Sequence, residues 1–170
     1  MNKYIVAGFL LCLQTDVMAL SLASKDFVQG GALPQVLACD GKNISPDISW
    51  TDVPSGTKSL ALTLEDPDAP RIGGFDHWVL FNLSPDLKGL AQGTTDFPKG
   101  TGLGSNGTKK TGYYGPCPPT GMHRYYFRLY ALDKALDLPE GATKQQVLEA
   151  LKGHVVGQAE LMGTYEKAKK

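Results

Sequence analysis

Asp66, Asp68, His77, His123 and Tyr125 are the side chains whose chemistry stands out in this chain, because each falls where an apolar run meets a turn. Imidazoles exchange protons near neutral pH, carboxylates accept hydrogen bonds, and a phenol does either, so such a set can bind anions, hold metal ions or move protons. Asp66 and Asp68 lie in Asp66-Pro-Asp-Ala-Pro70, where two prolines stiffen the turn that presents both carboxylates. His123 and Tyr125 follow Gly115-Pro-Cys-Pro-Pro-Thr-Gly121. Its three prolines, Pro118 among them, fix φ and remove backbone donors, while Gly115 and Gly121 permit dihedrals or close approaches that a Cβ would forbid. A loop stiffened in this way holds side chains still.

Three chemistries are open to the set. Two histidines and a carboxylate suit zinc or iron(II), although nothing in the sequence has metal-ligand spacing. The same groups could serve acid–base catalysis, but no serine stands in a GxSxG turn and the nucleophile is missing. The third is a small-anion site, in which a proton-bearing imidazole donates to a phosphate-like group. A carboxylate then orients that imidazole or meets an attached ammonium, and backbone N–H groups of the glycine-rich loop complete the cradle.

The elements that must position these groups are mostly strands. Turn signals recur every ten or so residues. Strand candidates are Asp47–Trp50, Ser59–Glu65, His77–Leu83, Tyr125–Leu132 with a start near His123, and His154–Leu161. Alternation puts Leu60, Leu62, Leu64 and then Asp66 on one face, so the carboxylate leaves the core at the strand's end. It groups His77 with Val79, Phe81 and Leu83, and His123 and Tyr125 with Phe127 and Leu129 on an inward face. Arg124, Tyr126, Arg128 and Tyr130 take the other face. One helix is expected late, where Thr143 and Gln146 form a capping box, Val147, Leu148 and Leu151 form an apolar stripe, and Gly153 ends it. The pattern predicts a mainly β protein, a sandwich with a helical appendage.

Residues 89–116 are rich in glycine, show neither helical nor strand period, and read as a long loop. Within it Gly102-Leu-Gly-Ser-Asn-Gly107 matches the GxGxxG pattern, but no apolar strand precedes it and Gly112 and Pro116 oppose a helix after it, so a dinucleotide site is rejected.

The whole chain bounds the partners. Its 170 residues, 42% hydrophobic, suffice for one core. Seventeen basic and seventeen acidic side chains give zero formal charge, so no global field recruits nucleic acid or an anionic membrane. At the N-terminus Lys3 precedes an apolar run over Tyr4–Leu13, followed by Val17-Met-Ala19. The run is shorter than the roughly 20 residues that span a bilayer, and the pattern reads as a signal peptide over residues 1–19, cleaved near Ala19, with one domain over 20–170 and a periplasmic or secreted product. Acylation of Cys12 is the weaker reading, because bulky Leu11 precedes it. The mature chain then keeps two cysteines, Cys39 and Cys117, for which an oxidising compartment implies a disulfide.

Asp66-Pro-Asp-Ala-Pro70, Asp76-His-Trp-Val79 and Gly115–Tyr125, in this order, closely resemble the signature regions of the phosphatidylethanolamine-binding protein family, which includes Raf kinase inhibitor proteins. Asn43–Trp50, Gly56–Leu60 and His154–Tyr165 are similar to its small bacterial branch. The resemblance implies an antiparallel β-sandwich with short peripheral and C-terminal helices, and a binding protein rather than an enzyme, with no cofactor. It implies a pocket for a phosphate-like anion, such as a phospholipid headgroup, built from Asp66, Asp68, His77, Pro118, His123 and Tyr125, with Gly115 and its turn supplying backbone donors. Arg124 matches too, but alternation turns it away and suggests an ion-pair role. The alternative is a regulator of a protein partner through the pocket rim and Lys99, Lys109 and Lys110; export would make that partner a protease or envelope protein rather than a cytoplasmic kinase. Sandwich sheets also offer self-complementary faces for a homodimer.

Overall fold

The computed structural model describes residues 19–167. The expected signal peptide, apart from Ala19, lies outside the described residues.

Two antiparallel sheets form the framework. Strands β1 (Ser21–Ser24), β2 (Ile48–Thr51) and β5 (Gly89–Leu90) make the smaller, in the order β1-β2-β5. The larger is ordered β6-β4-β3-β7-β8, from β3 (Ser59–Asp66), β4 (Phe75–Leu83), β6 (Gly102–Leu103), β7 (His123–Leu132) and β8 (Val155–Tyr165). The mainly β expectation and all five predicted strands are found, each with small shifts at its ends. The short strands β1, β5 and β6 were not anticipated, and the last two lie inside the segment expected to be an aperiodic loop.

The larger sheet is buried on both faces. Against the smaller sheet it packs Leu60, Leu62 and Leu64 of β3 with Tyr125, Phe127 and Leu129 of β7 and with Ile48 and Trp50. On the other face Ala61, Val79, Phe81 and Tyr130 meet Val147 and Leu151 of the helix α1 (Lys144–Ala150). Each large apolar side chain so enclosed contributes about 1.5–3 kcal/mol relative to exposure. Double coverage explains why β3 is buried at nearly every position and why Tyr130, assigned to the polar face, is buried. The helix begins as expected, with the Thr143 side chain accepting from Gln146 N–H and the Gln146 side chain accepting from Thr143 N–H. Lys144 ties it to the sheet by ion pairs to Glu65 and Asp76.

Strict alternation fails along β4, which carries two irregularities opposite β3. Leu62 faces Leu80 while Leu60 faces Leu83, and Leu64 faces Trp78 while Glu65 faces Asp76. Each leaves one extra residue on β4, and a bulge resets which face the chain presents. At the first, Asn82 adopts φ +55°, the left-handed region, and its amide both donates to the Leu136 carbonyl and accepts from its N–H. Leu83 therefore joins the inter-sheet core, away from Val79 and Phe81. At the second, the extra residue is His77.

The glycines of the rejected dinucleotide pattern have a packing role. A Cβ on Gly102, Gly104 or Gly107 would fall 2.1, 2.5 or 2.7 Å from Phe81, Val79 or Phe75 respectively. The motif lets the chain lie flat on side chains of β4.

Candidate functional site

The site forms where β3, β4 and β7 end beside the prolyl loop. Asp66, the last residue of β3, is only 3% exposed. One carboxylate oxygen accepts the Asp68 backbone N–H at 2.9 Å, and the other lies 2.7 Å from Nδ1 of His123. The buried oxygen–imidazole contact is a hydrogen-bonded pair that fixes both side chains, which enter from two different strands.

His77 arrives by the bulge. Alternation alone would send it with Val79 and Phe81 toward helix α1; the extra residue puts its ring among Phe75, Tyr114 and Tyr125, with the Tyr125 ring 5.3 Å away and edge-on. The His77 ring is 2% exposed. Its Nδ1 lies 2.6 Å from the Tyr114 carbonyl, which can only accept, so Nδ1 carries the proton. Nε2 is buried without a partner. Burial holds the His77 pKa below its ordinary value, against the opposing pull of the Tyr114 carbonyl and the Asp66 carboxylate. Burial, and then the nearby Asp66 carboxylate, raises that of the Tyr125 phenol.

A cavity of about 190 Å³ opens over these groups, lined by Asp66, Arg71, Phe75, His77, Tyr114 and Cys117 among others. His123 and Tyr125 stand behind its wall, in contact with Asp66 and His77. Pro118 is buried between Cys117 and Pro119, both of which line the cavity. Arg71, Phe75 and Tyr114 were not singled out from the sequence, since nothing in their local pattern marks them. Arg71 is the cavity's one lining cation, its guanidinium 5.2 Å from the centre of the Phe75 ring.

Two of the expected site residues are engaged elsewhere. Asp68 lies outside the lining and makes a two-pronged ion pair with Arg124, at 2.9 Å to Nε and 2.6 Å to Nη2, and also accepts the Arg124 N–H at 2.9 Å. The Arg124 guanidinium holds the Asp68 carboxyl down to about 2. Arg124 thus makes the ion pair that its outward face suggested. Gly115 donates its N–H to the Asn43 side chain at 2.7 Å, so that donor is occupied. Its value is close approach, since a Cβ there would lie 2.1 Å from the Leu37 carbonyl oxygen.

The loop itself is clamped to the segment 37–43. Cys39 and Cys117 form a disulfide with Cα atoms 5.4 Å apart, Cys39 N–H donates to the Pro116 carbonyl, and the Tyr113 hydroxyl donates to the Leu37 carbonyl. The pairing expected from the cysteine count is present.

Fold and cavity together define an antiparallel β-sandwich carrying a small pocket with a few polar groups at one end of its larger sheet. The profile of the family described as "Phosphatidylethanolamine-binding protein" matches residues 23–166, and the chain belongs to that family. It is 50% identical over 151 residues to the UPF0098 protein of Methanothermobacter thermautotrophicus, covering 87% of this chain and 99% of that one. A Mycobacterium tuberculosis protein named "Putative lipoprotein LppC" is 41% identical over 150 residues, covering 86% of this chain and 71% or 72% of that one in two strains. Among solved structures, the homologue CT736 from Chlamydia trachomatis superposes with TM-score 0.83 at 47% identity, covering 88% of this chain and 99% of that one. Escherichia coli YbcL, described as a new member of the mammalian PEBP family, superposes with TM-score 0.84 at 30% identity, covering 89% of this chain and 100% of that one.

Proposed function

We propose that this protein is an exported, non-enzymatic binding protein that takes a small phosphorylated or otherwise anionic group in the cavity over His77. The observation that carries the reading is the half-used imidazole. Nδ1 of His77 is committed to the Tyr114 carbonyl, and Nε2 is buried with no partner. Protonation of Nε2 would make a charge-assisted donor beneath the cavity, and Arg71 supplies a second positive group at its wall. An isolated anion would also meet the Asp66 carboxylate. A zwitterion such as phosphoethanolamine resolves that conflict by bringing its ammonium to Asp66 while His77 and Arg71 take the phosphate.

Several features support binding over turnover. Cys117 is held in a disulfide, and among the described residues no serine or threonine lines the cavity. Export is supported by the disulfide and by a relative whose name includes "lipoprotein". A second reading, docking of a protein partner at the pocket rim, draws on Ile72 and Met122, two exposed hydrophobic side chains adjacent in sequence to Arg71 and His123. An envelope protein or protease is the partner this reading takes.

The test is a two-dimensional amide NMR titration with phosphoethanolamine, with inorganic phosphate for comparison. Saturable shifts confined to residues around Asp66, His77 and 115–125 are expected, stronger for the zwitterion. No shifts at tens of millimolar, where even a weak headgroup site of about 4 kcal/mol would saturate, would remove the anion reading and favour the protein partner.

A further inference from the structure

A second cavity, of about 330 Å³, opens on the other side of Tyr113 and Tyr114, between the segments around Ser45, Thr94 and Thr111. Its size falls within the range of roughly 300–1,000 Å³ usual for small-molecule sites. The walls are aromatic. Trp78 meets Tyr113 edge-on at 5.5 Å between ring centres and Phe97 at 6.5 Å, and all three line the space.

Two of its lining residues hold unused polar groups. Trp78 is 1% exposed and Ser45 is 2% exposed, and neither the indole N–H nor the serine hydroxyl has a hydrogen-bond partner. Burying such groups unpaired is costly. The other described tryptophan shows the ordinary solution, because Trp50 donates its indole N–H to the Leu87 carbonyl at 2.7 Å. Trp78 keeps the face that alternation gives it with Leu80, while the bulge carries its neighbour His77 to the first cavity, and each of these consecutive side chains has one unused polar atom.

We propose that this second cavity is a binding site for a small neutral ligand of sugar-like chemistry, offering a carbonyl or hydroxyl oxygen to Trp78 and Ser45 and an apolar C–H face to the aromatic wall. An indole N–H can only donate, so the ligand must bring an acceptor. The serine hydroxyl can donate or accept, as can Thr111 at the border. The Tyr113 hydroxyl is already spent on the Leu37 carbonyl and contributes its ring alone. Among the described residues no lysine, arginine, aspartate or glutamate lines the cavity, so none of them compensates an ionic ligand there. The two cavities therefore select opposite chemistries.

The indole N–H resonances provide the experiment, since the two tryptophans of the chain report different sites. The labelled protein is titrated with N-acetylglucosamine and, as a fragment carrying only the amide, with N-methylacetamide. A saturable downfield shift of the Trp78 indole proton is expected, with that of Trp50 unmoved and with amide shifts at Ser45, Thr94 and Thr111. Trp78→Phe keeps an aromatic wall and removes the donor, and should weaken binding about tenfold. If that variant does not fold, Ser45→Ala, a change of one atom, should weaken binding severalfold. A Trp78 resonance that never moves with either probe, one that moves only together with Trp50, or unchanged affinity in the folded variants would overturn the proposal.

Discussion

Anion binding in the first cavity is expected to draw in a proton at His77, and the pH dependence of affinity measures it. In the free protein burial keeps the imidazole neutral below its ordinary value of 6.5. A bound anion favours the imidazolium, whose Nδ1–H stays on the Tyr114 carbonyl while the new Nε2–H points to the ligand. Between the lowered pKa of the free protein and the higher pKa of the complex, affinity must rise as pH falls, by up to about tenfold per pH unit. Sulfate is the probe of choice, because it stays dianionic throughout and does not titrate itself. Calorimetry over roughly pH 5 to 8, in buffers of different ionisation enthalpy, counts the protons taken up. His77→Gln, checked for folding by circular dichroism, should flatten the profile and lose about 1.5–3 kcal/mol, or roughly 10- to 150-fold, as the charge-assisted hydrogen bond disappears. A flat profile in the parent protein, or the same slope after the substitution, would refute the reasoning. Without ligand the sign for stability follows from the same lowered pKa: the contribution is full above 6.5 and declines on acidification below it, where the unfolded chain takes the proton first.

Three more outcomes are expected. Replacing Cys39 and Cys117 by serine opens a loop of 78 positions, whose closure is worth about 4.5 kcal/mol in the chain-entropy model, and chemical denaturation should show a loss up to that size with the 115–121 amides most affected. Asp68, held near 2 by Arg124, stabilises the fold above its ordinary value of 3.8 and loses that contribution as pH falls toward 2, so Asp68→Asn should flatten the acid limb of stability in urea titrations run at successive pH values. Gly115→Ala sets a methyl 2.1 Å from the Leu37 carbonyl oxygen, and should destabilise by more than about 1 kcal/mol and weaken anion binding, as both walls of the clamp separate; unchanged melting would contradict the close approach.

Local chemistry made much of the fold legible. Ser59–Glu65 alternates leucines along one face and Tyr125–Leu132 is rich in aromatic residues, so both form the centre of the larger sheet where expected. The capping box at Thr143 is readable because its partners are three residues apart. The disulfide followed from the number of cysteines once export was assumed. Strands β5 and β6 escaped notice because two residues carry no period, and they exist only through their partners β2 and β4.

The candidate site divides in the same way. Prolines 116, 118 and 119, the aspartates around Pro67 and the terminal positions of His123 and Tyr125 mark a rigid polar end of a sheet, because φ restriction and strand alternation act within a few residues. The sequence by itself therefore determined a mainly β chain, its long strands, its helix cap and the residues gathered near one end. Tertiary structure alone decided the rest. The bulge that turns His77 away from Val79 and Phe81 and toward the cavity is a property of pairing between β3 and β4, and no alternation within β4 contains it. The capture of Asp68 by Arg124 and of the Gly115 N–H by Asn43 joins residues 56 and 72 positions apart. Contacts over such separations depend on register and packing, which are set by the partner strand rather than by the segment that carries the residue.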